Sequence, residues 1–222
     1  MLRVGLMGGT FNPIHLGHLR VAEEARVAAA LDEILFIPNR VAPHRSDLDT
    51  MAPARDRYLM TCMAVSGHER FRVSSMELDR PTVSYTVETV EALRREHPDR
   101  EFTFLTGADS LLRARWHRLD DLLGLLACFL VVSRPGHERE ELEAHLDGLR
   151  LSHRDRIAWL EIPGIDLSST EIRARIREGR AFRYMVPEPV YDYLWKNGLY
   201  TRPFPPEVPA PGGRNREGRL QE

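Results

Sequence analysis

Six short apolar runs, Leu2–Met7, Ile34–Ile37, Phe71–Met76, Phe102–Leu105, Cys128–Val132 and Ile157–Ile162, alternate along the chain with segments of helical spacing. Most of the runs are rich in Val, Ile and Phe and are bounded by Gly, Pro or charged residues, as strands buried on both faces are. The segments between them, His15–Ala30, Ala54–Gly67, Tyr85–Glu96, Leu119–Leu126 and Glu138–Leu149, read as helices. Strand alternating with helix predicts βαβ units with right-handed crossovers, hence an α/β fold with a doubly wound, mostly parallel sheet and flanking helices. Two more helices, roughly Thr170–Glu178 and Pro187–Asn197, add a C-terminal helical segment. At 222 residues and 42% hydrophobic content, one domain over residues 1–200 is expected. No internal repeat is visible. Beyond Tyr200 a Pro/Gly-rich tail, 201–222, has little to bury and is expected to be disordered.

Charge composition removes several chemistries. Lys196 is the only lysine among 31 basic residues, and it sits in none of the settings that lysine-dependent phosphate chemistry needs. A P-loop, a Schiff-base enzyme and a protein kinase each require a placed lysine. Any anion must therefore be held by arginine, histidine or backbone N–H groups. A formal net charge of −2 gives no global field to recruit nucleic acid. Cys62 and Cys128 belong to no CxxC pattern and read as free thiols of a reducing cytoplasm. The stretch Met1–Met7 lacks a signal peptide's apolar region and cleavage site, and the longest apolar stretch, Leu122 to Val132, is too short to cross a bilayer. A soluble cytoplasmic protein, with no membrane or nucleic-acid partner, is expected.

Two segments carry chemistry. Gly8-Gly9-Thr10-Phe11-Asn12-Pro13-Ile14-His15-Leu16-Gly17-His18 follows the first strand and enters the first helix, where α/β sheets bind ligands. Gly8 and Gly9 suit a tight turn with close ligand approach. His15 and His18, three apart, project from one helix face, and Gly17 between them leaves access. Two imidazoles and helix-start N–H groups can hold a polyphosphate without lysine. An incidental exposed pair and a metal site are the competing readings. No carboxylate or cysteine stands at a spacing that completes a metal site, so no metal ligand is predicted. The second segment, Asp166-Leu167-Ser168-Ser169-Thr170-Glu171-Ile172-Arg173, has the S-x-x-E spacing of a capping box. It reads either as a well-capped helix alone or as a second anion grip built from Ser169, Thr170 and Arg173.

Together these motifs resemble the nucleotidyltransferase superfamily with the H-x-G-H signature, which His15-Leu16-Gly17-His18 matches fully, and the late S-S-T-x-I-R motif at Ser168–Arg173. The resemblance narrows to the bacterial nicotinate-nucleotide adenylyltransferases. It is carried further by Pro38–Arg45, Glu77–Pro81 with Ser84-Tyr85-Thr86, Gly107–Ser110, Trp116 and Ser133–Gly136. It spans about residues 1–200 and implies a Rossmann-like fold. Two positions depart from the pattern: Asn12, where the family often has Asp, and Ala42, in a stretch that is often Pro-Pro-His.

The resemblance implies transfer of AMP from ATP to nicotinate mononucleotide, giving nicotinate adenine dinucleotide (deamido-NAD) and pyrophosphate in NAD biosynthesis. It places His15, His18 and Arg173 at the reacting phosphates. It places ATP at Gly8, Gly9, Thr10, Phe11, Gly107, Asp109, Ser169 and Thr170, and nicotinate mononucleotide at Arg45, Thr82, Ser84, Tyr85, Trp116 and Arg134. Mg²⁺ is expected to arrive carried with ATP. Asp109 also reads as a capping residue, and Trp116 as a core residue. A homo-oligomer is compatible with this reading. The alternatives are the same chemistry on nicotinamide mononucleotide or phosphopantetheine, or a non-catalytic nucleotide-sensing module. A class I aminoacyl-tRNA synthetase shares the histidine signature, but one lysine cannot supply its lysine-rich second motif.

Overall fold

All the strand pairings are parallel in the described residues of the computed structural model, which are 1–40, 51–80, 83–113, 116–133, 139–163 and 166–201. Arg45, Thr82, Arg134 and residues 202–222 lie outside the described residues. The strands are β1 (Leu2–Gly9), β2 (Glu33–Pro38), β3 (Phe71–Val73), β4 (Arg100–Gly107), β5 (Cys128–Ser133) and β6 (Ile157–Glu161). The helices are α1 (Leu16–Ala28), α2 (Ala54–Val65), α3 (Thr86–Glu96), α4 (Ala108–Arg113), α5 (Leu119–Leu125), α6 (Arg139–Asp147), α7 (Ser169–Arg177) and α8 (Glu188–Asn197). The sheet order is β3-β2-β1-β4-β5-β6, so the winding reverses between β1 and β4. In open α/β sheets that reversal opens a crevice at the carboxyl ends of the two strands.

Strand periodicity builds two cores. Val4 and Leu6 of β1, Ile37 of β2, Phe102 and Phe104 of β4, and Phe129 and Val131 of β5 face α3, α4, α5 and α6. The alternate residues Met7, Ile34, Phe36, Leu105 and Leu130 face α1, α2, α7 and α8. Side chains of a strand point to opposite faces in turn, so β1, β2, β4 and β5 each feed both cores. Gly5 has no room for more: a Cβ there would lie 2.5 Å from Ile34 Cδ1 and 2.8 Å from Leu31 Cδ1.

The expected elements are all present, with shifted ends. The strand read as Phe71–Met76 stops at Val73, where Ser74 N–H makes the last bond to Phe36 O at 2.9 Å and Leu78 N–H closes a turn onto Ser75 O. Helix α4 was not foreseen, because six residues running straight off β4 are too few for a period to show. Helix α8 ends at Gly198, whose φ of 58° is the left-handed cap that glycine adopts without strain. Leu199 and Tyr200 then turn inward and are buried. No helix among the described residues is long and apolar enough to cross a membrane.

Candidate active site

The loop leaving β1 is fixed from behind by buried polar groups. Gly8 and Gly9 belong to the strand itself, and neither has a positive φ, so the predicted glycine turn is corrected. The chain turns instead at Phe11, with φ 45°, and at the cis Asn12–Pro13 bond. Gly9 is there for space: a Cβ on it would lie 3.0 Å from the Phe11 ring. Asn12 Oδ1 accepts from Ala52 N–H at 3.0 Å and from the Tyr200 hydroxyl at 2.8 Å. Burial pushes the Tyr200 phenol well above its ordinary range. Tyr200→Phe is expected to lower stability by about 1 kcal/mol, the usual net value of one hydrogen bond. A urea midpoint that falls with an unchanged slope would check it.

Both signature histidines open α1. His15 is the N-cap residue and is 6% exposed. Its N–H donates to His18 Nδ1 at 3.2 Å, and the two ring centroids are 3.7 Å apart. An Nδ1 that accepts leaves the neutral His18 ring with its proton on Nε2. The Phe11 ring stands edge-on to His18 at 5.2 Å. Burial pulls His15 down from its ordinary 6.5 to about 4, so it is neutral at pH 7 and the pair does not present two cations. One first-turn amide is used internally: Leu16 N–H donates to Met185 O at 3.1 Å. The helix start thus presents a neutral His15 and one engaged amide.

His18 stands on the wall between two cavities. The first, about 340 Å³, is lined by Gly8, Asn39, Ser84, Tyr85, Trp116 and His117 among others. The second, about 250 Å³, is lined by His15, Gly17, Arg20, Asp109, Ser133 and Leu167 among others. His18 and Gly107 line both. A Cβ on Gly17 would press on the His15 ring at 3.0 Å, so glycine keeps that ring in place.

The second motif acts as a clamp. Ser168 Oγ accepts from Glu171 N–H at 3.1 Å, the predicted cap. Ser169 Oγ–H, expected on phosphate, donates to Pro13 O at 2.9 Å. Arg173, also expected on phosphate, is 3% exposed and donates from Nη1 to Asn12 O at 2.9 Å and from Nη2 to Thr170 Oγ1 at 3.4 Å. These groups tie α7 to the β1 loop because the loop's carbonyls point toward them. Thr10 and Phe11, also assigned to ATP, are buried, with Thr10 O accepting from Arg57 Nη1 at 2.6 Å. Arg20 is the arginine found at the second cavity, in an exposed pair with Glu24 at 2.6 Å.

Ser84, Tyr85 and Trp116, three of the six residues expected on the mononucleotide, line the first cavity. Trp116 is half-buried, edge-on to Phe104 and Phe129, with Nε1–H on Ser110 O at 3.2 Å. It is both cavity wall and core. Arg118, two residues on, pairs with Asp121 at 2.7 Å and Glu91 at 3.1 Å. Tyr85 packs on His117 at 4.4 Å. Ser84 Oγ and Asn39 Oδ1 are buried with no hydrogen-bond partner among the described residues. Buried polar atoms are normally paired, so such atoms on a cavity wall suit a ligand. Glu77 lines the same cavity; Thr89 Oγ1–H donates to its Oε1 at 2.7 Å, and Arg80 Nη1–H donates to Thr89 Oγ1 at 3.0 Å. Burial pushes the Glu77 carboxyl up, against the Thr89 bond. Among the described residues no three His, Cys, Asp or Glu side chains gather to hold a metal ion.

A model of the cytidylyltransferase-like family matches residues 6–175. Over 206 residues the chain is 43% identical to a protein of Acidothermus cellulolyticus described as a probable nicotinate-nucleotide adenylyltransferase, covering 90% of this chain and 95% of that one. A relative of the same description in Thermus thermophilus is 42% identical over 199 residues, covering 90% of this chain and all of the other. This chain belongs to the nicotinate-nucleotide adenylyltransferases of the cytidylyltransferase-like family. The nicotinic acid mononucleotide adenylyltransferase of Plasmodium falciparum, solved in complex with NaAD, shares the fold, with a TM-score of 0.71 at 18% identity over 91% of this chain and 98% of that one.

Membership in the adenylyltransferase family agrees with the family resemblance carried by the sequence motifs. Other wall and support residues went unassigned: Asn39, Glu77, His117, Arg20 and Arg57. Glu77 stood inside a quoted motif without a role, and His117 follows Trp116 directly. For Arg20 and Arg57 no local signal exists, since helix arginines are ordinarily surface charges.

Proposed function

We propose that this chain transfers AMP from ATP to nicotinate mononucleotide, forming nicotinate adenine dinucleotide and pyrophosphate as a step of NAD biosynthesis. The observation that carries the reading is His18, set on the wall common to two cavities at the sheet's switch point. A reaction that joins two nucleotides at one phosphorus needs that arrangement.

In this reading the first cavity takes the pyridine ring against Trp116 and Tyr85, with Ser84 and Asn39 offering polar atoms. The second takes the adenosine end of ATP, with Asp109 suited to ribose hydroxyls and Arg20 to phosphate charge. Between them, a phosphate oxygen of the mononucleotide forms a bond to the α-phosphorus as the bond to the bridging oxygen breaks. Pyrophosphate departs with that oxygen and its electron pair. The attacking phosphate is already ionised at pH 7, so no protein base is needed, and catalysis is alignment plus charge stabilisation. His18 Nε2–H is the donor placed to meet charge at the α-phosphate. Neutral His15 seats His18 through its N–H and lines the ATP side. Mg²⁺ enters as MgATP, held chiefly by phosphates and water. The ATP requirement and the free thiols of Cys62 and Cys128 support a cytoplasmic setting.

The test is pyrophosphate release from ATP with nicotinate mononucleotide, nicotinamide mononucleotide and phosphopantetheine in parallel. Fastest release with the first is expected. Release only with phosphopantetheine would move the chain to another acceptor, and release with none would make it a nucleotide sensor.

A further inference from the structure

Arg57 is a charged side chain that the reaction above does not use. It lies in the first turn of α2 and is fully buried. Three of its nitrogens donate to backbone carbonyls: Nε to Ala52 O at 3.0 Å, Nη1 to Thr10 O at 2.6 Å and Nη2 to Arg40 O at 2.9 Å. These carbonyls belong to the exit of β1, the exit of β2 and the approach to α2. Burying a guanidinium is costly, so the site uses something an apolar side chain cannot give. What arginine gives is a rigid planar fork that fixes several acceptors at set angles.

Each carbonyl leads to a working part of the site. Thr10 precedes Phe11, whose ring packs on His18 at 5.2 Å. Arg40 follows Asn39, which lines the first cavity and donates its N–H to Gly9 O at 3.0 Å. Ala52 N–H holds Asn12 Oδ1 at 3.0 Å. One guanidinium thus ties the loop that backs the histidine to the strand end that walls the acceptor cavity. We infer that Arg57 is a positioning residue for adenylyl transfer, keeping His18 and the acceptor cavity in register through the Thr10, Arg40 and Ala52 carbonyls. This rests on the function proposed above.

Loss of register slows the transfer step more than it weakens binding, and a misplacement of about 1 Å can cost about 10²-fold. The test uses the full chain carrying Arg57→Met or Arg57→Lys. Thermal unfolding fixes the folded fraction, and assays run below each midpoint. Arg57→Met is expected to lower kcat per folded molecule about 10²-fold, with KM for both substrates within about threefold of wild type. Arg57→Lys restores part of that loss, because an ammonium is a point charge that cannot span three acceptors. In Arg57→Lys the ring-proton resonances of His18 should also move. A kcat per folded molecule within about twofold of wild type, or a loss confined to KM, overturns the inference. Where Arg57→Met does not fold, Arg57→Lys decides alone: reduced kcat with displaced His18 resonances supports it, and wild-type values of both refute it. A wild-type chain that forms no dinucleotide overturns the functional reading itself, and this inference with it.

Discussion

Replacing His18 by alanine should lower kcat by about 10²–10³-fold, the usual cost of losing one donor that meets transition-state charge. Position argues for it, since His18 lines both cavities and its Nδ1 is engaged by His15 N–H, which leaves Nε2 as the ring's donor nitrogen. Alanine also removes that acceptor, leaving His15 N–H unsatisfied at about 1–3 kcal/mol. His18→Asn separates the two effects, because its Oδ1 stands near the place of Nδ1 while nothing replaces Nε2. The asparagine variant should keep wild-type stability and lose rate as alanine does. Steady-state kinetics beside urea unfolding reads both quantities. Near-normal kcat in either variant would remove His18 from the reacting centre.

The second large effect is on stability. His15 falls from 6.5 in the unfolded chain to about 4 in the fold, through burial. Between those values the unfolded state binds more protons than the native state, so stability rises with pH across the window. Acidifying from pH 6.5 toward 4 should therefore remove about 3 kcal/mol through this one group, and nothing further below pH 4. His15→Asn keeps an N-cap residue and abolishes the titration. Urea unfolding at pH 7 and pH 4.5 should show a steeper loss for wild type than for His15→Asn. Equal losses in the two proteins would mean that His15 titrates normally.

Architecture was legible because strand and helix periods differ and each run is bounded by breakers. Order was legible too: a doubly wound sheet places its ligands after the first strand, where Gly8 to His18 lie. Local geometry was less so. Gly8-Gly9 carries the composition of a turn, yet Phe11 and Pro13 make it, since the strand needs bare glycine where the Phe11 ring folds back. Ser169 and Arg173, expected on phosphate, also have backbone partners that no local pattern shows. Hydroxyls and a guanidinium at a helix start serve an anion or a nearby carbonyl equally well, and only the fold brings Pro13 O and Asn12 O within reach. Arg57 was invisible because α2 buries polar Arg57 and Thr61 beside Met60 and Val65, so its inner face has no apolar stripe. Long-range partners, 47 residues away at Thr10, decide its burial.

Following a label placed on the α-phosphorus of ATP, during incubation with nicotinate mononucleotide and Mg²⁺, tests the central claim most directly. AMP transfer predicts the label wholly in nicotinate adenine dinucleotide and none in pyrophosphate, with one dinucleotide formed for each pyrophosphate released. Label retained in ADP or AMP, or pyrophosphate released without dinucleotide, would contradict it.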